Sequence, residues 1–248
     1  MDSSHYEGLS AADLTPPPRE GVPALEWAQE DMAALWATAR ATDRAEALTA
    51  AVACLQAHTE REPAITSALQ GTLGAGDRLA GLEFRMKSPA SLARKIHADQ
   101  IEAAQYGGRS AAADVAAEVN DVLRYTVETP EHDGIPEATE RTVKGLHATG
   151  MHVETIKNKY AQGAPYKGIH LIVGSSPAGV RFEVQVHSAL SLAAKIKSHV
   201  PYETARDVHA EPKERKAADA ECRALFADVP TPRGLDSMTT VDGVPVRK

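Results

Sequence analysis

The chain has 248 residues, of which 43% are hydrophobic and only 4% aromatic, and its formal net charge is −7. That composition fits a globular protein with an aliphatic core, long enough for one large domain or two small ones. It argues against a broadly basic nucleic-acid-binding surface, and no apolar run reaches the about 20 residues that a membrane helix needs.

Cys54 and Cys222 stand far apart with no metal-binding spacing, so a disulfide framework is not expected. The polar, acidic start of the chain shows no signal-peptide pattern, and a soluble cytoplasmic protein is the expectation. Residues 1–23 carry Pro16, Pro17, Pro18 and Pro23 and few large apolar groups, which predicts a flexible arm. Leu25, Ala28, Met32, Leu35, Trp36 and Ala39 then recur at helical spacing, with further helices expected between Asp43 and His58 and at 64–73. Together 24–76 read as a helical cap. A strand at 79–85 opens a core spanning 77–210. Pro89 suits the first turn of a helix, where its missing N–H is no loss, and Gly107-Gly108 ends that helix. A helix at 110–119, a strand at 122–128, a helix at 136–149 and a strand at 152–156 follow. Strands at 168–173 and 180–186, joined by a Gly/Ser/Pro turn, suggest a hairpin. Residues 189–209 read as helical, and a charged C-terminal helix lies within 211–229. The Pro- and Gly-broken tail, 230–248, is expected to be disordered. This order implies an α/β (α+β) fold: a mixed β-sheet of about five strands flanked by helices, with an N-terminal helical cap.

Four constellations carry chemistry. The first, Arg85-Met86-Lys87-Ser88-Pro89-Ala90-Ser91-Leu92-Ala93-Arg94-Lys95, places cations and a hydroxyl at a strand–turn–helix junction with no acid among them. Helix N-terminal N–H groups and those cations suit a polyphosphate, although a solvated basic helix start has the same pattern. The second is Asn120-Asp121 at a strand head. Asp121 is either a turn residue or a Mg²⁺ ligand, since Mg²⁺ takes one or two carboxylates along with phosphate oxygens. The third is Tyr166-Lys167-Gly168-Ile169-His170, where a ring can stack on a base while Lys167 meets phosphate, or where both are ordinary edge residues. In the fourth, Glu183, Gln185 and His187 share one face of a strand, and the next helix carries Lys195, His199 and Tyr202.

In that order these motifs resemble the RelA/SpoT-type alarmone synthetase family, over roughly residues 79–206. The resemblance implies a nucleotidyltransferase-like synthetase fold and Mg²⁺-dependent transfer of the β,γ-pyrophosphate of ATP to the 3′-hydroxyl of an acceptor nucleotide. It implies that Arg85, Lys87, Ser91, Arg94 and Lys95 bind ATP and that Asp121 and Glu183 hold Mg²⁺. Glu183 would also serve as the base, Tyr166 would stack on the acceptor base, and Lys167, His170, Gln185 and His187 would complete the acceptor side. Two positions depart from the pattern. Thr126 stands where family members often carry Arg, with Arg124 on the same strand face as a partial substitute, and His187 replaces a basic residue. The end of the core resembles divergent, toxin-type members. The acceptor therefore stays open among GDP or GTP, an adenine nucleotide and the 3′ end of tRNA, for which Lys157, Lys159, Lys167, Lys195 and Lys197 would form a track. A non-catalytic nucleotide-binding regulator, an antitoxin or regulator as partner, and a homo-oligomer also stay open.

Overall fold

The computed structural model describes residues 9–29, 45–108, 111–174, 179–206 and 210–248. The predicted helix through Met32, Leu35, Trp36 and Ala39 and the turn at 175–178 lie outside those residues. No helix among the described residues is long and apolar enough to cross a membrane. The chain divides into two compact units: Met1–Ser67, Gly81–Tyr125 and Gly174–Glu183 form the first, and Ala68–Ala80, Thr126–Val173 and Val184–Lys248 the second.

The first unit is organised by helix α1 (Ala45–Thr72), which runs unbroken through Pro63 where two separate helices were predicted. An interior proline ordinarily costs a helix about 3 kcal/mol. Here one continuous face, Leu48, Ala51, Leu55, His58, Glu62 and Ile65, is buried, so tertiary packing overrides the local preference. Glu62, fully buried on that mostly apolar stripe, is the hub of the unit. Its carboxylate accepts from Arg19 at 2.6 and 2.8 Å, from Arg85 Nε at 2.7 Å and from the Thr66 hydroxyl, and Thr66 meets the Tyr125 hydroxyl at 2.9 Å.

The segment expected to be a flexible arm, 1–23, is anchored at two points: Leu14 is buried with its carbonyl accepting from Thr59, and Arg19 pairs with Glu62. Just beyond it, Leu25 is buried and the Trp27 indole donates to the Met86 carbonyl. The predicted cap as far as Ser67 and the basic turn thus belong to one unit, together with helices α2 (Pro89–Gln105) and α3 (Ala112–Glu118). Helix α2 begins at Pro89, with Ser88 as N-cap accepting from the Ser91 N–H.

The second unit contains the sheet, β1 (Arg78–Ala80), β2 (Arg124–Thr129), β3 (His152–Asn158), β4 (Ile169–Gly174), β5 (Phe182–Ser188), β6 (Thr240–Val241) and β7 (Val244–Arg247); the first residues of β2 and β5 lie in the first unit. The order is β1-β2-β5-β4-β3-β7-β6. It is a mixed sheet: β1 and β2 are antiparallel with Leu79 opposite Val127, whereas β3 and β7 are parallel with Ile156 opposite Val246. Every residue of β5 is buried, as its interior place requires. Helices α4 (Ile135–Ala148), α5 (Ala189–Lys197), α6 (His199–Arg206) and α7 (Pro212–Leu225) complete the unit.

Two predictions are corrected. The strand expected at 79–85 stops at Ala80, because Gly81 turns left-handed (φ 64°) into a single 3₁₀ turn, Leu82–Phe84. The tail expected to be disordered adds two strands to the sheet, which among the described residues has seven rather than about five. Asp242 (φ 46°) and Gly243 (φ 83°) form the two-residue hairpin turn, Leu235, Val241 and Val244 are buried, and His147 Nδ1 meets Asp242 Oδ2 at 2.6 Å.

Replacing Glu62 by Ala leaves the buried Arg85 unpaired and is expected to cost about 3–5 kcal/mol in urea unfolding. Burial pushes the Glu62 carboxyl up, but Arg19, Thr66 and Arg85 outweigh it and hold the group below its ordinary value. Its contribution is therefore complete above the unfolded carboxylate range and is lost as pH falls through the lowered native value. Wild type and Glu62→Ala should converge in stability as pH drops below about 4; a constant gap down to acid pH would contradict this.

Candidate active site

In the first unit, three backbone segments are tied side by side. The Lys87 N–H donates to the Val122 carbonyl at 3.0 Å, the Arg124 N–H to the Arg85 carbonyl at 2.8 Å, and the Glu183 N–H to the Leu123 carbonyl at 3.0 Å. These bonds place the predicted phosphate-binding turn, the segment after Asp121 and the start of β5 at Glu183 side by side. Lys87 Nζ lies 3.1 Å from Asp121 Oδ2, each side chain about one-fifth exposed, while Asp121 Oδ1 is buried without a hydrogen-bond partner. An orphaned carboxylate oxygen beside a half-buried cation is costly unless a ligand completes it. Glu183 is also buried. No group of three or more His, Cys, Asp or Glu suited to a metal ion occurs among the described residues. Two carboxylates are nevertheless the set that Mg²⁺ takes when phosphate oxygens supply further ligands, so Asp121 and Glu183 fit that ion.

The basic turn is not uniformly available. Arg85 is 3% exposed, and besides Glu62 its guanidinium donates to the carbonyls of Leu82 (2.7 Å) and Pro23 (2.9 Å). Arg85, expected among the ATP ligands, is an interior strut in this structure, following directly on the 3₁₀ turn. Lys87, Ser91, Arg94 and Lys95 lie at or near the surface. Arg94 donates to the Ser91 hydroxyl at 3.1 Å, and Lys95 pairs with Asp99 at 3.5 Å one turn along α2. Exposed pairs of this kind are weak and exchangeable.

In the second unit the predicted acceptor residues converge on one hydroxyl. Tyr166 OH lies 2.8 Å from His187 Nε2 and 2.9 Å from His170 Nε2, and it donates to Gln185 Oε1 at 3.3 Å. With its single proton given to Gln185, both imidazoles must present N–H to the phenolic oxygen. His187 Nδ1 is then left to accept from the Ser191 hydroxyl at 3.1 Å. Burial, with Lys195 and His170 adding like charge, keeps His187 far below the ordinary histidine range, so it is neutral. A histidine in place of a basic residue could bring pH sensitivity near neutrality, and burial removes it here. Gly168 makes this packing possible: a Cβ there would stand 2.6 Å from His187 Cε1 and 2.9 Å from Tyr166 OH.

Lys167, expected to reach phosphate or tRNA, is buried and donates instead to the Val229 carbonyl; burial lowers its pKa. Beside Thr126, Lys195 supplies a cation, its Nζ donating to Thr126 Oγ1 at 3.3 Å. The sequence reading did not assign roles to Glu62, Phe226 or Ser191. Glu62 carried a signal, an acid in register on an apolar helical stripe. Phe226 carried none, because its partner lies 60 residues earlier in the chain.

A scan against protein-family models gives no match, and a search of curated proteins gives none either. Among solved structures, the chain is similar to a chain in the complex between the type VI effector Tas1 and its immunity protein, at 20% identity and a TM-score of 0.44, over 68% of this chain and 90% of that one. It is also similar to a GTP pyrophosphokinase family protein from Streptococcus pneumoniae, at 14% identity and a TM-score of 0.42, over 70% and 84%. A third is the small alarmone synthetase 2 from Bacillus subtilis, at 13% identity and a TM-score of 0.41, over 71% and 89%. At these identities, what the protein does is argued from its own residues.

Gly168→Ala is expected to lower stability by about 1–3 kcal/mol, the usual cost of forcing an atom into a packed interior, read as a drop in melting temperature. An unchanged melting temperature would mean that the Tyr166–His187 packing can yield.

Proposed function

We propose that the protein is a Mg²⁺-dependent pyrophosphokinase that uses ATP to pyrophosphorylate the 3′-hydroxyl of an acceptor nucleotide. The observation that carries this reading is Asp121, with one oxygen paired to Lys87 and the other buried without a partner, on a segment hydrogen-bonded alongside the strand that bears Glu183. The sequence resemblance supports the same reaction.

In this reading Lys87, Arg94 and Lys95 neutralise the ATP phosphates, and the Ser91 hydroxyl adds a hydrogen bond. Arg85 holds the turn in place from the interior. Mg²⁺, held by Asp121 and Glu183, would draw charge from the phosphate oxygens. Glu183 takes the proton of the 3′-hydroxyl. The ribose oxygen bonds to the β-phosphorus as the bond from that phosphorus to the α,β-bridging oxygen breaks, and AMP leaves. Positioning and charge neutralisation are most of what such a transfer asks of a protein. On the acceptor side, the Tyr166 ring meets the base. Its hydroxyl is fixed by His170, His187 and Gln185, so the ring is held before the nucleotide arrives. His187 is neutral and internal, and it braces Tyr166 rather than meeting phosphate.

The test is incubation with γ-³²P-labelled ATP, Mg²⁺ and GDP, GTP, AMP, ADP, ATP or deacylated tRNA, with Glu183→Gln alongside. Label is expected in a mononucleotide. Glu183→Gln should lose about 10²- to 10⁴-fold in rate, the usual contribution of a general base, while its ATP affinity by calorimetry stays within a few-fold of wild type. Label only in tRNA would move the acceptor to the tRNA 3′ end. ATP binding with no transfer to any acceptor would overturn the enzymatic reading in favour of a nucleotide-binding regulator.

A further inference from the structure

Downstream of the motifs that resemble a synthetase, the chain returns to the residues around Tyr166. Phe226, at the C-terminal end of α7 and fully buried, packs its ring on Tyr166 with centroids 5.6 Å apart and a 52° tilt. Three residues on, the Val229 carbonyl receives the buried Lys167 ammonium, immediately next to Tyr166 in sequence. The following carbonyl, Pro230, lies 2.9 Å from His132 Nε2, and His132 Nδ1 lies 2.7 Å from the hydroxyl of Ser188, the last residue of β5. Arg233 closes the segment through its N–H and Nε to Asp133.

The donors are matched to the acceptors. Both backbone acceptors need an N–H, which Lys167 supplies and which His132 supplies when its Nε2 is protonated and its Nδ1 accepts from Ser188. A lysine buried against one carbonyl is an expensive way merely to hold a tail, because its charge must be desolvated. It is accounted for if the position of residues 166–168 has to be fixed. Tyr166 is gripped at its hydroxyl by His170, His187 and Gln185 and at its ring by Phe226; Lys159 Nζ lies 5.9 Å from the ring centroid. The hydroxyl contacts fix one end of the ring, and Phe226 fixes its tilt.

We propose that the segment from Phe226 to Pro230 is a working part of the acceptor site, with Phe226 as the positioning residue for Tyr166. This rests on the reading of Tyr166 as the residue that meets the acceptor base. Phe226 itself touches no substrate. It acts by holding the ring in the orientation that binding needs, so that the ordering cost is met before the acceptor arrives.

The experiment compares wild type, Phe226→Ala and Phe226→Leu in steady-state transfer, with acceptor and ATP varied separately. Phe226→Leu keeps most of the packed volume and controls for folding, with melting temperature recorded for all three. Both variants are expected to raise the acceptor KM by roughly three- to tenfold, the equivalent of one aromatic pair, with the ATP KM within twofold of wild type. Equal rises in both KM values would show a general loosening and overturn the proposal, as would an unchanged acceptor KM. A second readout is independent of activity: the Tyr166 ring signal in ¹³C-tyrosine spectra, assigned by its loss in Tyr166→Phe. It should shift in Phe226→Leu, and an unmoved signal overturns the positioning role. If the wild type transfers no pyrophosphate, the functional reading fails by itself, and the Tyr166 signal alone decides whether Phe226 positions that ring.

Discussion

The first unit depends on a buried carboxylate. Glu62 joins the N-terminal segment through Arg19, the basic turn through Arg85 and the start of β2 through Thr66 and Tyr125. An isolated carboxylate in that position would be strongly disfavoured. Two guanidiniums and a hydroxyl satisfy it, and each comes from a different part of the chain or a different turn of α1. The contacts form together or leave a buried charge, so the unit has few alternative arrangements. That matters to the candidate site because the peptide after Arg85 runs to Lys87, whose N–H is bonded to Val122 beside Asp121. Fixing Arg85 at its side chain and at its carbonyl fixes where Lys87 begins.

The second unit is arranged around a neutral centre instead. Tyr166 OH has three polar neighbours, and two of them are imidazoles. A permanently charged arginine at position 187 would have to be desolvated in full, since that position has no exposed surface. Histidine allows the same hydrogen-bonding reach without charge, and Gly168 gives the ring the room that any Cβ would take away. Positive charge is carried instead by Lys195, half-exposed on α5 and hydrogen-bonded to Thr126. Thr126 and His187, the two departures from the pattern that the sequence resembles, are therefore linked through one lysine. Lys195 donates to the first and, through its charge, helps keep the second neutral.

Much of the element order was legible because it rested on strong local signals. Pro89 after a polar turn, Gly107-Gly108 after a helix, and the alternation in β5 each specify a boundary or a face within a few residues. Apart from the strand cut short by Gly81, the failures share one physical cause, which is that long-range burial decided what local propensity could not. Pro63 reads as a break, yet α1 continues through it because its buried face continues. The tail reads as disordered because Leu235, Val241 and Val244 are too few to show a period, although the Asp242-Gly243 pair is a hairpin signal in its own right. The convergence of Tyr166, His170, Gln185 and His187 was anticipated as a set, but the hydroxyl that unites them was not, since hydrogen-bond partners across strands leave no mark in spacing.

Arg85 shows most clearly why a motif is not a site. By spacing it belongs with Lys87, Ser91, Arg94 and Lys95 as one of a row of phosphate ligands. By structure, Gly81 and the 3₁₀ turn rotate it away from that row into a pocket whose other walls are Glu62 and two carbonyls. A positive charge can serve an anionic ligand directly or serve the scaffold that presents other charges. The choice is set by which opposite charge is nearer and drier. Glu62 is fully buried and 2.7 Å away, so it takes Arg85 permanently, whereas the Lys87–Asp121 and Lys95–Asp99 pairs are partly solvated and can yield to phosphate. Lys167 follows the same logic on the other unit, where a dry carbonyl claims it. In each motif one cation is given to the interior.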